Sequence, residues 1–242
     1  MSKTTRLIVS QSMKAPVIEA YKTLRTNIQF SNIDDNIKVI MVTSTVQGEG
    51  KSATSANLAI SMAQSGKKVL LIDCDLRRSS LHRIFHILNS KGLTNVLVED
   101  ADYKEFCNTV NVPNLKVLTG GPKPPNPSEQ LGSEKMKTFL EKIHDEYDYI
   151  ILDAPPVLPV SDALVLAHVT HGIVFVLKHG EIEYDAAKTA INSLKNVGAK
   201  ILGVVLNKVP IDSLGSQGYY YYYDNESEQA SKLGAKLRKV FK

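Results

Sequence analysis

A short glycine-containing segment constrains the fold of this chain more than any other feature. The apolar run Val39 to Thr43 predicts a buried strand, and the segment Ser44 to Ser52 (STVQGEGKS) follows it and leads into a helix rich in alanine and serine. Strand, glycine loop, Lys-Ser and helix, in that order, are typical of a phosphate-binding loop, or P-loop. An ordinary glycine-rich turn is the alternative, and the strand and helix around it argue against that.

The residue types in this loop suit phosphate binding. Gly48 and Gly50 let the backbone bend so that successive N–H groups point at phosphate oxygens, beside the positive end of the helix. We expect Lys51 to reach the β and γ phosphates of ATP and the Ser52 hydroxyl to ligate Mg²⁺. The predicted nucleotide-binding residues are therefore Gly48, Glu49, Gly50, Lys51, Ser52 and Ala53.

Strand-like and helical patterns alternate along the rest of the chain. The further apolar runs that predict buried parallel strands are 69–72, 115–118, 149–152, 172–177 and 201–206, and the helical patterns between them are 52–64, 80–88, 133–144 and 185–197. This order predicts a single α/β domain of the P-loop type, a doubly wound, mainly parallel sheet with helices on both faces. We expect this core at residues 38–211, after an N-terminal helical segment (1–37) and before a C-terminal tail (212–242).

Acidic residues follow two of the predicted strands. Asp73 and Asp75 end the run 69–72, and Asp153 ends the run 149–152. Because the carboxyl ends of parallel strands share one edge of a sheet, we expect three carboxylates near Lys51. Asp153 has the position of a Walker B aspartate that holds Mg²⁺, although a helix or turn cap is the alternative. Asp73 and Asp75 share one side of their strand, so they could share metal, or one could accept a proton.

Three other positions remain open from the sequence. Arg77 and Arg78 could bind phosphate or an acidic group, or form a solvated basic turn. Asn207, at the end of the last strand, could contact the purine, or it could belong to a strand-end turn. The segment Gly120 to Pro127 (GGPKPPNP) predicts a loop at the ligand-binding edge of the sheet, either a plain connector or a part of the site.

Composition and charge exclude several classes of protein. The formal net charge of +4 is too small and dispersed to indicate a nucleic-acid partner. Two cysteines cannot form a disulfide framework and the N-terminus lacks a signal peptide, so we expect a cytoplasmic chain. The apolar stretch Val157 to Leu177 is interrupted by Asp162, His168 and His171, which predicts a helix followed by a strand rather than a membrane span.

The tail carries the most unusual composition. After Asp212, Gly, Ser, Asn and Gln surround a run of five consecutive tyrosines. The pattern behind this run predicts a short basic amphipathic helix with Leu233, Leu237 and Phe241 on one face.

Together these motifs resemble the bacterial tyrosine kinase family, specifically the cytoplasmic kinase subunit of capsular or exopolysaccharide synthesis. The resemblance spans almost the whole chain. It rests on the P-loop, on the acidic motif 70–77, on the Walker B segment 150–156, on the segment that begins at Gly120 and on the tyrosine cluster.

The resemblance implies an ATP- and Mg²⁺-dependent protein-tyrosine kinase that phosphorylates an adjacent copy of itself and regulates polysaccharide synthesis or export. Position by position, it implies Lys51 on the phosphates, Ser52, Asp75 and Asp153 at the Mg²⁺ site, and Asp73 as base for the tyrosine hydroxyl. The implied phosphoacceptors are Tyr219, Tyr220, Tyr221, Tyr222 and Tyr223. Phosphorylation adds nearly two negative charges per site, which is expected to release the tail from a neighbour.

The resemblance also implies partners. The family shows Glu-x-x-Arg-x-x-Arg on a helix that joins subunits in a ring, and this chain has Glu19, Lys22 and Arg25 at those positions. Lysine lacks the planar fork of arginine, which weakens the contact, and a solvated helix face is the alternative. Other implied partners are a transmembrane activator, the polysaccharide co-polymerase subunit, which recruits the chain to the inner face of the membrane, and a protein tyrosine phosphatase.

Two rival functions fit a P-loop chain of this kind. The first is a partitioning or septum-positioning ATPase of the deviant Walker type, but such proteins carry an extra lysine early in the loop, where this chain has Val46. The start of the loop is also atypical, because Thr45 stands where the usual motif has Gly or Ala. The second rival is a non-enzymatic scaffold that uses nucleotide only to set its assembly state.

Overall fold

The structure is a computed structural model that describes residues 7–9, 13–31, 37–99 and 101–210. The chain divides into a first unit, Met1–Asn207, and a second unit, Lys208–Lys242. The predicted start of the tail, at residue 212, lies close to this division. The tyrosine run 219–223 and the predicted basic helix lie outside the described residues.

The elements alternate as the sequence predicts. The helices are α1 (Ala15–Ser31), α2 (Lys51–Gln64), α3 (Leu81–Phe85), α4 (Leu93–Glu99), α5 (Pro127–Leu131), α6 (Glu134–Ile143), α7 (Asp162–Ala167) and α8 (Tyr184–Asn196), with a 3₁₀ turn at Tyr103–Glu105. The strands are β1 (Val39–Ser44), β2 (Val69–Asp73), β3 (Cys107–Thr109), β4 (Leu115–Leu118), β5 (Tyr149–Asp153), β6 (Gly172–Lys178) and β7 (Ile201–Asn207).

One seven-stranded sheet has the order β3-β4-β2-β5-β1-β6-β7. Every pairing is parallel except that of β3 with β4. The predicted doubly wound, mainly parallel fold is therefore confirmed, and all six predicted strands are present. The edge strand β3 was not predicted, because three residues, two of them half-buried and one exposed, are too few to show a pattern.

Side-chain alternation along the strands builds a core on each face of the sheet. Ile40 and Val42 of β1 belong to a core that includes residues of α1, α2 and α3. Val39 and Met41 belong to the opposite core, with residues of α4 to α8. Because both faces of the sheet are covered at its central strands, those strands are continuous apolar runs, which is why they could be predicted.

Two segments between strands bear on the sequence predictions. The stretch 157–177 contains α7 followed by β6, as predicted, and within the described ranges no helix is long and apolar enough to cross a bilayer. The segment 120–127 is a packed connection: Thr94 donates to the carbonyl of Gly120, and a Cβ on Gly120 would lie 2.1 Å from Ser79 Oγ. The loop prediction was wrong for Pro127, which begins α5, a position that suits proline.

The start of β1 predicts a pH-dependent stability. Nδ1 of His171 accepts the backbone N–H groups of Lys38 (3.1 Å) and Val39 (3.2 Å), which requires a neutral ring. Burial, then the charges of His144 and Lys38, lower the pKa of His171 below 6.5. At His171 the unfolded chain therefore binds more protons below about pH 6.5, so the contribution of this residue to the free energy of unfolding falls as the pH drops.

Between about pH 7.5 and pH 5.5 we expect the melting temperature of the wild type to drop relative to that of His171→Asn, which keeps an acceptor without titrating. Thermal melts across this range provide the measurement. The variant will keep a slope of its own, because burial lowers the pKa of His82 and, with the opposite effect on stability, raises the pKa of Asp73 to about 7. An identical slope in the variant and the wild type would contradict the assignment to His171.

Candidate functional site

The backbone of the P-loop needs its glycines. Gly48 has φ 91° and Gly50 has φ 97°, both in the left-handed region that L side chains rarely adopt. Gly50 precedes α2, which begins at Lys51 and has no side-chain cap at its N-terminus. Helix N-terminal N–H groups without a protein acceptor are a favourable site for an anion. The loop therefore fits a phosphate group.

Glu49 lies inside the loop, with its side chain turned into the protein. Its carboxylate is 1% exposed and accepts N–H groups from Val46 (2.8 Å) and from Lys178 at the end of β6 (3.1 Å). Its carbonyl accepts from Nδ2 of Asn207 at the end of β7 (2.8 Å). The Glu49 side chain thus braces the loop, and Asn207, the candidate purine contact, lies directly beside it.

Lys51 lies between carboxylates. Its Nζ is 2.8 Å from Oδ2 of Asp75 and 3.7 Å from Oδ1 of Asp153. Asp73 and Asp153 are paired residues on the neighbouring strands β2 and β5, so sheet register sets them side by side. The structure therefore brings Lys51, Asp73, Asp75 and Asp153 together at one edge of the sheet.

The charges in this cluster are strongly coupled. Burial alone would lower the pKa of Lys51, but the carboxylates of Asp153 and Asp75 outweigh it and raise that pKa. Burial raises the pKa of Asp153, while the Lys51 charge and the Ser52 hydroxyl lower it. The ammonium group of Lys51 is therefore held charged, while the Asp153 carboxyl keeps its proton to a higher pH than usual.

The cluster also fits a divalent cation. Oδ2 of Asp153 is buried and has no hydrogen-bond partner, which is costly for a carboxylate oxygen and suits a cation ligand. Ser52 Oγ lies 3.4 Å from Lys51 Nζ. Among the described residues no group of three or more His, Cys, Asp and Glu side chains could hold a metal. Two carboxylates and a hydroxyl are too few ligands for Mg²⁺ by themselves. Water molecules and phosphate oxygens would complete its octahedral coordination, as is usual for this ion.

Asp73 is fully enclosed, as Asp153 is. It is 0% exposed, and its carboxylate accepts backbone N–H groups from Asp75 (3.2 Å), Ser80 (2.9 Å) and Leu81 (3.0 Å). It thereby fixes the start of α3. Burial, reinforced by the Asp153 charge, raises the pKa of Asp73 to about 7. Its role as the base for a tyrosine hydroxyl stays a prediction.

Arg77 has a structural partner that sequence reasoning missed. Its Nε and Nη2 donate to the carboxylate of Asp162 at 2.8 and 3.0 Å, in the first turn of α7. Asp162 is fully buried, and the sequence signal was an acid inside an otherwise apolar stretch. Arg78 points elsewhere, since its Nη1 donates to Oε1 of Gln47 in the P-loop at 2.6 Å. The turn after β2 is thus tied to both α7 and the P-loop.

A cleft of about 1040 Å³ opens over the P-loop, Asp75 and α3. Gly48, Gly50, Lys51, Ser52 and Ala53 of the predicted nucleotide-binding set line it. No residue of the segment 120–127 is among its lining residues. A smaller cavity of about 460 Å³ includes Lys68 and Lys116 and contains none of the predicted site residues.

The three candidate ring-contact residues lie on α1. Lys22 and Glu19 form an ion pair of 2.6 Å with each other, and Arg25 donates from Nη1 to the carbonyl of Ser61 on α2 at 2.9 Å. Glu19 and Lys22 therefore face outward, whereas Arg25 joins α1 to the core.

Fold and cleft define a P-loop nucleotide-binding domain, and the family model described as AAA domain matches residues 37–201. Tyrosine-protein kinase YwqD of Bacillus subtilis (strain 168) is 43% identical over 207 residues, 86% of this chain and 87% of that protein. Tyrosine-protein kinase CpsD of Streptococcus agalactiae is 40% identical over 206 residues, 85% of this chain and 89% of that protein. The crystal structure of the chimerical protein CapA2B2 matches with a TM-score of 0.80 and 37% identity, over 84% of this chain and 90% of that one.

The chain belongs to the bacterial tyrosine kinase family, as the resemblance of its motifs predicted. The septum site-determining protein MinD of Pyrococcus horikoshii also matches, with a TM-score of 0.61 and 23% identity over 73% of this chain. That likeness shows the shared fold alone. The tyrosine kinase interpretation is therefore favoured over the septum-positioning ATPase.

Asp153→Asn tests the charge balance of the cluster. Asparagine keeps the acceptor for Ser55 (3.1 Å) and removes one of three acids around a single ammonium. We expect the ligand-free protein to gain about 1 kcal/mol, a rise in melting temperature of roughly 2–4 °C, and to lose most of its stabilisation by Mg²⁺-ADP.

Asp162→Asn is the matched control, because Asp162 is equally buried but pairs with Arg77. It should lower the melting temperature and leave the Mg²⁺-ADP response in place. If Asp153→Asn lowers the melting temperature as much as Asp162→Asn does, the cluster around Lys51 does not contain more acid than its one ammonium group can balance.

Proposed function

We propose that this chain transfers the γ-phosphoryl group of ATP to tyrosines 219–223 of a neighbouring copy and thereby regulates capsular or exopolysaccharide synthesis or export. Family membership supports the reaction type. The observation that carries the proposal is the pairing of Lys51 with Asp75 and Asp153 at the N-terminus of α2, beside an open cleft. No other part of the described chain combines an anion site with convergent acids.

In this proposal the P-loop amides bind the phosphates, with the base on the side of Asn207. Lys51 turns from the carboxylates to the β and γ phosphates, where its charge offsets the negative charge of the transferred group. Mg²⁺ held by Ser52, Asp75 and Asp153 would neutralise further charge on the same phosphates. Phosphoryl transfer depends mostly on such positioning and charge stabilisation.

The tyrosine oxygen forms a bond to the γ phosphorus as the bond from that phosphorus to the β–γ bridging oxygen breaks, and ADP leaves. The hydroxyl proton passes to a carboxylate. The family resemblance implies Asp73 as the acceptor of this proton, and Asp73 is enclosed by three backbone N–H groups, whereas Asp75 lines the cleft. Both acids are therefore tested separately below.

Mixing two inactive chains tests transfer between copies. Lys51→Met lacks the phosphate-binding ammonium but keeps its tyrosines, and a chain with all five tyrosines 219–223 changed to Phe keeps its P-loop. We expect neither to incorporate labelled phosphate from ATP alone, and the mixture to label only the Lys51→Met chain. Thermal melts of both chains check folding. Labelling of Lys51→Met on its own, or of the Phe chain, would contradict the proposal.

Asn variants separate the two acids. Asp75→Asn should weaken the Mg²⁺ dependence of ADP binding, because it removes a proposed metal ligand. Asp73→Asn should keep Mg²⁺-ADP binding within about threefold and reduce the rate of transfer by about 10²-fold or more, the usual worth of a general base. Binding is measured by calorimetry and transfer by single-turnover labelling. A normal transfer rate in Asp73→Asn would remove Asp73 from the proton transfer.

We also propose assembly with other chains. Tyrosine-protein kinase wzc of Salmonella typhi is 30% identical over 227 residues, which span 93% of this chain but 32% of that protein. A relative with this kinase region in a longer chain, together with the chimera, supports a partner that completes or recruits the kinase, here a transmembrane activator. In the proposed ring, Glu19 and Lys22 contribute more than Arg25, which is engaged with Ser61. A tyrosine phosphatase would reverse the modification.

A further inference from the structure

The cleft extends well past the phosphate-binding loop. Its volume of about 1040 Å³ is at the upper end of the range for small-ligand pockets. One side is the P-loop, and the other is formed by α3 and the turn before it, including Arg78, Arg83, Ile84 and His86. The α3 side therefore offers room for a second ligand beside the nucleotide.

The order of the strands shows on which side of the P-loop the α3 side of the cleft lies. The P-loop follows β1, α3 follows β2 and Asn207 ends β7, and β2 and β7 lie on opposite sides of β1. With the base toward Asn207, as proposed above, the terminal phosphate points toward Asp75 and α3. The chain that carries the acceptor tyrosine must then lie against the α3 side of the cleft.

The α3 side is cationic. Arg78 and Arg83 are exposed, and their guanidinium groups donate to neutral oxygens, those of the Gln47 side chain and the Ser79 carbonyl. Within the described ranges neither forms an ion pair, in contrast to Arg77 with Asp162. Two guanidinium groups without acidic partners in a cleft favour an anionic ligand.

The tail carries negative charge that would complement the two arginines. Asp224, Glu226 and Glu228 follow directly after the tyrosine run, and no charged residue lies between Asp212 and Asp224. An extended chain spans at most about 3.3–3.6 Å per residue, so five residues reach roughly 17 Å, more than the roughly 7.5 Å length of a five-residue helix such as α3. An acceptor tyrosine at Asp75 can thus be followed by acids at both arginines.

We propose that the α3 side of the cleft selects acceptor tyrosines that are followed by acidic residues, with Arg78 and Arg83 binding Asp224, Glu226 and Glu228 of a second copy. This inference rests on the proposed function and names its substrate class. It makes the two arginines specificity-determining residues. Ile84, which also lines the cleft, offers apolar surface to an aromatic ring.

The test uses the full-length donor and acceptor chains described above. The donor is the chain with five Phe residues, and the acceptor is Lys51→Met with one of three tails. These are the natural tail, a neutral tail (Asp224→Asn, Glu226→Gln, Glu228→Gln) and a basic tail with Lys at the same three positions. We expect the initial rate at low acceptor concentration to fall about tenfold for the neutral tail and further for the basic tail.

Charge reversal in the donor gives the complementary result. Arg83→Glu should lose the preference for the natural tail and phosphorylate the basic tail faster than the parent donor does, with an unchanged KM for ATP. Lys135→Glu, on the helix α6 that packs on the opposite face of the sheet, is the matched control and should keep the preference. Because the acceptor changes lie in the tail, the test does not depend on the folding of the arginine variant.

Three results would overturn the inference. Equal rates on the three tails would show that acids after the tyrosine are not recognised. A raised KM for ATP in Arg83→Glu, with the same loss on every tail, would assign the arginine to the nucleotide instead. A parent donor that phosphorylates none of the three tails would contradict the proposed function itself, and this inference with it.

Discussion

The functional edge of the sheet depends on one buried ammonium group. Lys51 lies 2.8 Å from Asp75 and 3.7 Å from Asp153, and all three side chains are nearly removed from water. A charge in such surroundings is tolerated only with a partner, so the ammonium needs an acid beside it and an ionised acid here needs the ammonium. Since the lysine begins α2 and the acids end β2 and β5, this interaction also joins the phosphate loop to the two central strands.

The central strands could be predicted because burial on both faces makes each of them a continuous apolar run. The convergence of Lys51 with the three aspartates followed from the rule that parallel strands end at one edge. Short elements gave no such signal: β3 has three residues, and α3 ends early because His86 adopts φ 55°. Long-range side-chain partners, such as Asp162 for Arg77, depend on packing that no local pattern records.

The same fold serves different functions, and the site residues decide between them. The MinD structure shares the topology at 23% identity, whereas relatives at 40% identity or more are named as tyrosine kinases. Val46 in this loop replaces the lysine expected of the septum-positioning type, and its N–H is held by Glu49.

Glu49 has a consequence for how the loop meets its ligand. Its carboxylate holds Val46 within the loop and Lys178 outside it, and its carbonyl accepts from Asn207. The curvature of the loop is therefore set when the sheet folds, before any nucleotide arrives. The conformational entropy of ordering the loop is lost during folding rather than at binding. More of the interaction energy between loop and nucleotide therefore contributes to affinity.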